Sequence, residues 1–490
     1  MSPYLAFLIL SAYFLMLILF AIFTSKGSSN SDFFQAGKHS PWYLVAFGMI
    51  GASLSGVTYI SIPGYVGQAG WSYFMMVIGY WFGYWVIRKY LLPLYYEQGL
   101  VSIYGYLKNR FGQSTYFTGA FFFLLSRSIG SAFRLFLVAI VLQLAVFEPL
   151  GLPFELAVIC TVFLIWVYTF KGGIKTIVLT DTLQTIAMLV AVILTIYMIG
   201  DALQLKGMDL IQHIIDSPKS QIIYTDPLDA RFFLKNLVAG MLITIVMTGL
   251  DQDMMQKNLT CRTLAESQKN MLWFSWILIV VNLMFLSLGT LLYSYADATG
   301  FPIPQKSDDL FPALAFGPLG TAAGIVFLIG VTAAAYSSAD SALAALTTSF
   351  CVDILAMNQE ESRKNRRTRM RVHLGFTLLI ALMVIAFKWI NDQSVVSAVF
   401  TAAGYTYGPL LGLFAFGLFH KTQPSDRRIP LVCLASPFLT WLASHYSPVL
   451  LGGYRFGFEL VLLNGLITYS GLWLLVIVFG RQISNQNPVS

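Results

Sequence analysis

The sequence predicts an all-α polytopic membrane protein, on three observations: composition, the spacing of apolar runs and the sidedness of the basic residues. Hydrophobic residues make up 57% of the 490 and charged residues only 11%, whereas a soluble domain carries about 25% charged residues. Mean hydropathy is +0.71. Runs of about 20 apolar residues, enough for a helix to cross the hydrocarbon core, fall at 3–24, 43–68, 71–95, 114–146, 154–170, 174–200 and 234–256. Others follow at 270–296, 319–355, 371–390, 394–419, 429–447 and 456–480, making about thirteen spans by length and hydropathy.

An odd number of crossings puts the termini on opposite sides. Taken alternately, one set of connections holds Lys26, Lys38, Arg88, Lys89, Lys108, Arg110, Lys171, Lys175, Lys257, Arg262, Lys269, the 363–371 cluster, Lys421, Arg427, Arg428 and Arg481. The other holds Lys206, Lys219, Arg231, Lys235, Lys306, Lys388 and Arg455. Basic residues concentrate on the cytoplasmic side, so the N-terminus is expected outside and the C-terminus inside. The net charge of +7 is then a topology signal. Dispersed over short loops, it makes no nucleic-acid footprint.

The first span has no basic segment ahead of it and no small-residue cleavage site after Phe20, so it reads as a retained helix. The longest outer connection, 201–233, contains an amphipathic stretch from Leu203 to Ile215 that predicts a short surface helix. Cys160, Cys261, Cys351 and Cys433 show no CxxC spacing and read as small core residues. His39, His213, His373, His420 and His445 fall in loops or near helix ends, which argues against an embedded enzyme, and no P-loop appears for ATP-driven transport. No catalytic residue is expected.

Two spans are interrupted. From Phe47 to Gly64, small and hydroxyl residues cluster at Gly51, Ser53, Ser55, Gly56 and Thr58, ahead of Pro63. Such a segment either unwinds where its carbonyls meet an ion or ligand or forms a small-residue packing face. A second interruption lies at Thr248-Gly-Leu-Asp-Gln-Asp253. Paired interruptions in two halves are the mark of an inverted-repeat carrier with its site at the midplane.

The run Val331 to Leu343 carries three serines and an aspartate. At helical spacing, Ala334, Ser337, Asp340 and Ser341 share one stripe. An aspartate at membrane depth costs about 2.5–3.5 kcal/mol and usually marks an ion path, so the stripe reads as an oxygen-lined cation site. Thr180, Asp181 and Gln184 make a second polar patch on an apolar helix. Arg127 and Arg134, seven apart with Ser131 between them, share a face. They either bind an anion or pair with carboxylates or carbonyls.

These residues resemble the sodium:solute symporters. The resemblance rests on Ser31-Asp-Phe-Phe-Gln-Ala-Gly37, Ser55-Gly-Val-Thr with Pro63, Tyr168-Thr-Phe-Lys-Gly-Gly173 before Thr180-Asp181, Gln252-Asp-Met-Met-Gln-Lys257, Ser337-Ser338 and Gly408-Pro-Leu-Leu-Gly-Leu-Phe414. It implies a leucine-transporter-type fold: an extra helix and loop in 1–42, one repeat over 43–200, an outer loop over 201–233, an inverted repeat over 234–420, and two helices and a tail over 421–490. It also implies sodium-coupled uptake of a small polar solute by alternating access, sodium as the only cofactor, a monomer in the bilayer and an inner cell membrane location.

The resemblance places one sodium on the carbonyls of Gly51, Leu54 and Ala334 and the hydroxyls of Ser337 and Ser338. In some members a further sodium sits at the positions of Asp181, Ser337, Asp340 and Ser341, where Asp340 replaces a serine. The expectation is two sodium ions, or one sodium with a titrating Asp340; a helix-tethering hydrogen bond from Asp181 is the alternative. Ser55, Thr58, Tyr80 and Met247 are the implied solute positions, with Ser55, Thr58 and the 59–63 run closest to the sialic acid symporters. That branch has an arginine directly after an Ile-Gly pair. Here Ser131 follows Ile129-Gly130, leaving Arg127 and Arg134 as candidates for an anionic solute such as a sialic acid, sugar acid or carboxylate; a sugar is also open. A proton-coupled major-facilitator-like carrier and a passive channel are the competing functions.

Overall fold

The computed structural model describes residues 1–24, 40–357, 362–390 and 394–479. The Ser31 to Gly37 motif, Lys26, Lys38, His39 and the tail from Arg481 lie outside the described residues. Among the described residues no strand forms. The helices are α1 (Pro3–Thr24), α2 (Trp42–Ser53), α3 (Ile62–Ala69), α4 (Ser72–Val86), α5 (Leu92–Glu97), α6 (Gly105–Arg110), α7 (Gln113–Leu142), α8 (Phe154–Ala202), α9 (Met208–Asp216) and α10 (Phe233–Thr244). They continue with α11 (Gln252–Asn258), α12 (Leu264–Thr299), α13 (Leu310–Phe316), α14 (Gly320–Ser349), α15 (Arg363–Ile390), α16 (Val395–Thr406), α17 (Gly408–Phe419), α18 (Ile429–Leu450) and α19 (Leu460–Phe479).

Both expected interruptions are bends. The α2 segment stops at Leu54, whose ψ of 95° is extended; a π-turn over Val57–Ser61 leads into α3, with Pro63 in its first turn, where a missing N–H costs nothing. The two halves meet at 63°. α10 runs on through a π-turn, Ile245–Gly249, and α11 leaves that segment at 68°. Asp251 accepts hydrogen bonds from the Asp253 and Met254 N–H groups, 2.9 and 3.4 Å, as an N-cap should. A third bend, 46° between α16 and α17, falls inside the segment read as one span over 394–419. Gly408-Pro409 starts a new helix there.

Among the described residues, eight helices are long and apolar enough to cross a membrane, or eleven if each bent pair is one span, so the count of thirteen is not established. Phe154–Val167 is apolar but short. The stretch from α4 to α5, rich in Tyr and Trp and carrying Arg88 and Lys89, is not among the eight. The loop expected between 170 and 174 is helical: α8 runs unbroken for 49 residues, about 73 Å at 1.5 Å per residue. Gly172 and Gly173 lie within it, since a helix tolerates glycine at a cost of about 1 kcal/mol. The surface helix begins later than expected, at Met208, because Gln204 and Gly207 take positive φ. All four cysteines are unpaired, and three are buried. His373 departs from its expected place near a helix end in a loop: it is buried in α15 between the hydroxyls of Thr169 and Thr347.

Close approach shapes the bundle. At the α4–α10 interface, a Cβ on Gly79 would stand 2.2 Å from the Leu237 carbonyl oxygen, and one on Gly240 2.1 Å from that of Met76. Small residues let two backbones meet where lipid offers no hydrophobic drive for helices to associate. The outer helices α1, α8, α15 and α18 expose large apolar side chains such as Phe7, Ile193, Leu382 and Leu431, as a lipid-facing surface requires.

Two groups of contacts join connections of the same charge-defined set. Arg110 donates to the carbonyls of Gly417, His420 and Thr422, while Lys235 pairs with Glu459 at 3.3 Å and donates to the Arg455 carbonyl. Asp426 covers the start of α7, accepting from the N–H groups of Ser114 and Thr115 at 2.9 and 2.8 Å and from the Thr115 hydroxyl. Asp426→Ala is expected to cost about 0.5–2 kcal/mol, the range of a lost N-terminal cap, read as a lower unfolding temperature in detergent; an unchanged midpoint would show the cap to be dispensable.

Candidate functional site

The first bend lies against α8 and α14. An added Cβ on Gly51 would stand 2.3 Å from Thr185 Oγ1 and 2.7 Å from Ser337 Oγ, so the α2 backbone is in contact with both helices. Ser337 donates to Asp181 Oδ1 at 2.7 Å. Thr185 donates to the Asp181 and Phe47 carbonyls at 2.7 and 3.1 Å. The structure thus brings Gly51, Ser337 and Asp181 together. Leu54 ends the helix three residues on, and Ala334, one turn before the serines on α14, is buried. The Ser338 hydroxyl donates to the Ala335 carbonyl at 3.0 Å.

Asp181 has a partner the sequence did not suggest. Lys257 Nζ lies 2.5 Å from its Oδ2, and both residues are fully buried. Lys257 was counted among cytoplasmic loop charges; it sits instead in α11, facing α8. Ser341 donates to the Ser337 carbonyl at 3.1 Å and approaches Asp253 Oδ2 at 3.3 Å, and Asp340 is buried on the same helix.

Beside this cluster lies a cavity of about 90 Å³. Ser55, Thr58, Tyr80, Met247, Arg127 and Arg134 all line it. Ser131 does not: its hydroxyl turns back along α7 to the Arg127 carbonyl, 2.6 Å. Tyr80 shares a hydrogen bond with Tyr73, 2.8 Å. The two arginines differ in surroundings. Arg127 is paired with Asp253 and lies 3.8 Å from Asp251, whose Oδ2 also accepts from the Tyr407 hydroxyl at 2.5 Å. Arg134 makes no ion pair among the described residues. The sequence reading missed Asn282, a buried amide lining the cavity from α12; its one signal is a lone Asn after Val280-Val281. It also missed Asp251, Asp253 and Lys257 as deep charges.

The model of the sodium:solute symporter family matches residues 33–425. The chain belongs to the sodium:solute symporter family. Membership makes this symporter a multi-pass membrane transporter, with sodium as the coupling ion. It is 22% identical over 444 residues to the sodium/sialic acid symporter NanT of Aliivibrio fischeri, covering 86% of this chain and 84% of that one. It is 24% identical over 421 residues to the sodium-coupled monocarboxylate transporter 2 of Mus musculus, covering 82% of this chain and 65% of that one. A solved Na+-coupled sialic acid symporter, substrate-bound and outward-open, superposes with a TM-score of 0.80 at 18% identity, over 97% of this chain and 98% of the other. At that identity the likeness shows the symporter's fold alone.

Proposed function

We propose that this symporter takes up a small carboxylate-bearing solute, held in the cavity between the bent α2–α3 segment, α7, α10 and α12. The observation that carries the reading is the unequal fate of the two arginines. Arg127 is already neutralised by Asp253, whereas Arg134 lines the cavity without an acidic partner among the described residues. A guanidinium so placed recognises a carboxylate through paired, charge-assisted hydrogen bonds. Ser55, Thr58 and Asn282 offer polar contacts, and Met247, Val399 and Phe400 an apolar wall. Names of relatives support the class: a sialic acid and monocarboxylates are all carboxylates.

Sodium is bound as cargo by the carbonyls of Gly51, Leu54 and Ala334 and the hydroxyls of Ser337 and Ser338. Their proximity at the bend supports the assignment, because a hard cation takes several oxygens and the interrupted backbone supplies carbonyls that no helix uses. One sodium entering with one carboxylate carries no net charge across the membrane, so the membrane potential, worth about 2.3 kcal/mol per net charge at about 100 mV, does no work on that step and the sodium concentration gradient drives accumulation. The repeats occupy 43–200 and 234–420, with the bends of α2–α3 and α10–α11 at equivalent places. The N-terminus lies outside and the C-terminus in the cytoplasm, following the basic residues, and the chain works as a monomer in the inner membrane.

The test is uptake into proteoliposomes under an inward sodium gradient, with labelled sialic acids, short carboxylates, sugar acids, neutral sugars and amino acids offered singly. A carboxylate is expected to accumulate, and Arg134→Ala to lower its uptake at least about ten-fold, the loss of about 1.4 kcal/mol or more. Accumulation of a neutral sugar, undiminished in Arg134→Ala, would overturn the reading.

A further inference from the structure

Asp181 is where a second sodium was expected, and it is already served by a cation belonging to the protein. Its Oδ2 accepts from the Lys257 ammonium at 2.5 Å and its Oδ1 from the Ser337 hydroxyl at 2.7 Å. Asp181, Lys257 and Ser337 are all fully buried. A metal ion at this carboxylate would have to share it with a positive charge in direct contact, inside a low-dielectric interior where like charges repel strongly.

We infer that the Lys257 ammonium is a resident cation at the second ion position, so that this symporter moves one sodium per cycle and not two. The inference rests on the sodium-coupled reading above and deepens it by fixing the ion count. Lys257 does more than fill space. By holding Asp181 it fixes the acceptor for the Ser337 proton, and a serine hydroxyl that gives its proton to Asp181 turns its lone pairs elsewhere, to the side on which Gly51 stands. Lys257 is therefore a positioning residue for the first sodium as well as a substitute for the second. Its place on α11 matters too. Asp253 and Lys257 are four residues apart and share a helix face; the first is paired with Arg127 of α7 and the second with Asp181 of α8, so the short half of the bent segment is held to both neighbours by charge. A tethered ammonium can follow that half-helix as it moves but cannot leave with the cargo.

The experiment is equilibrium binding of 22Na+ to the full-length protein purified in detergent, counted as ions per chain. The wild type and Lys257→Arg are expected to bind one. Lys257→Met frees the Oδ2 of Asp181 and is expected to bind two, and adding Asp181→Asn to Lys257→Met returns the count to one. A wild-type count of two overturns the inference and leaves the sodium-coupled reading standing, as does a count of one in Lys257→Met that has kept its thermal unfolding transition. A wild-type count of zero overturns both. Should Lys257→Met fail to fold, the wild-type count still decides.

Discussion

Gly51→Val is expected to abolish sodium-dependent accumulation and to lower the unfolding temperature, the largest effect of any single change at the ion site. Even one added carbon would stand 2.3 Å from Thr185 Oγ1 and 2.7 Å from Ser337 Oγ, well inside van der Waals contact. Neither neighbour yields cheaply. The Thr185 hydroxyl is committed to the carbonyls of Phe47 and Asp181, and that of Ser337 to the Asp181 carboxylate. Relief therefore comes from moving α2 away from α8 and α14, which separates the carbonyls of the bend from the serines facing them. Overpacking of this kind costs about 1–3 kcal/mol in stability, but the effect on sodium is greater, because each lost oxygen weakens the site. 22Na+ binding should fall below detection, while Gly130→Ala, where an added Cβ meets nothing within 4 Å, should bind as the wild type does. Wild-type sodium affinity in Gly51→Val would show that the ion lies elsewhere.

The same geometry explains what was legible in the sequence. The bends at Leu54 and Leu250 were readable because hydroxyls, glycines, Pro63 and acidic side chains interrupt otherwise apolar runs, a local conflict with membrane burial. Ser337 beside Gly51 was readable only through family resemblance, since no local pattern tells which helix faces which. The Lys257–Asp181 pair was not readable at all. The two residues are 76 apart in sequence, and a lysine at the end of an apolar segment looks like any loop charge until the bend turns α11 back into the bundle. The kink before Gly408-Pro409 was hidden for the opposite reason: proline in the first turn of a helix is unstrained, so nothing in the run from Val395 to Phe419 breaks its hydropathy. Arg127 and Arg134 show the limit of periodicity. Their spacing put both on one face, and both do line the cavity, but only long-range contacts with Asp251 and Asp253 separate a structural charge from an available one.

Asp253→Asn should be strongly destabilising. Removing one member of a buried pair leaves the other charge uncompensated, at about 3–5 kcal/mol, and Arg127 has only Asp251, 3.8 Å away, to fall back on. Asp251 is itself engaged by Tyr407 and by the first turn of α11. Arg127→Met is expected to cost a similar amount, for it strands Asp253 with one hydroxyl contact, from Ser341. The double variant Arg127→Met with Asp253→Leu should recover most of the loss, because a buried ion pair and a packed apolar pair of like volume are often close in stability. Thermal unfolding in detergent of the wild type, Arg127→Met, Asp253→Leu and the double variant, closed as a double-mutant cycle, measures the coupling; strictly additive losses would mean that the two side chains do not act as a pair. Uptake should not recover with stability. A charged clamp between α7 and α11 can part and re-form as water enters from one side, whereas an apolar contact in its place has no reason to open. The stable double variant is therefore expected to bind sodium yet transport at least about ten-fold more slowly, a penalty of about 1.4 kcal/mol on the limiting step.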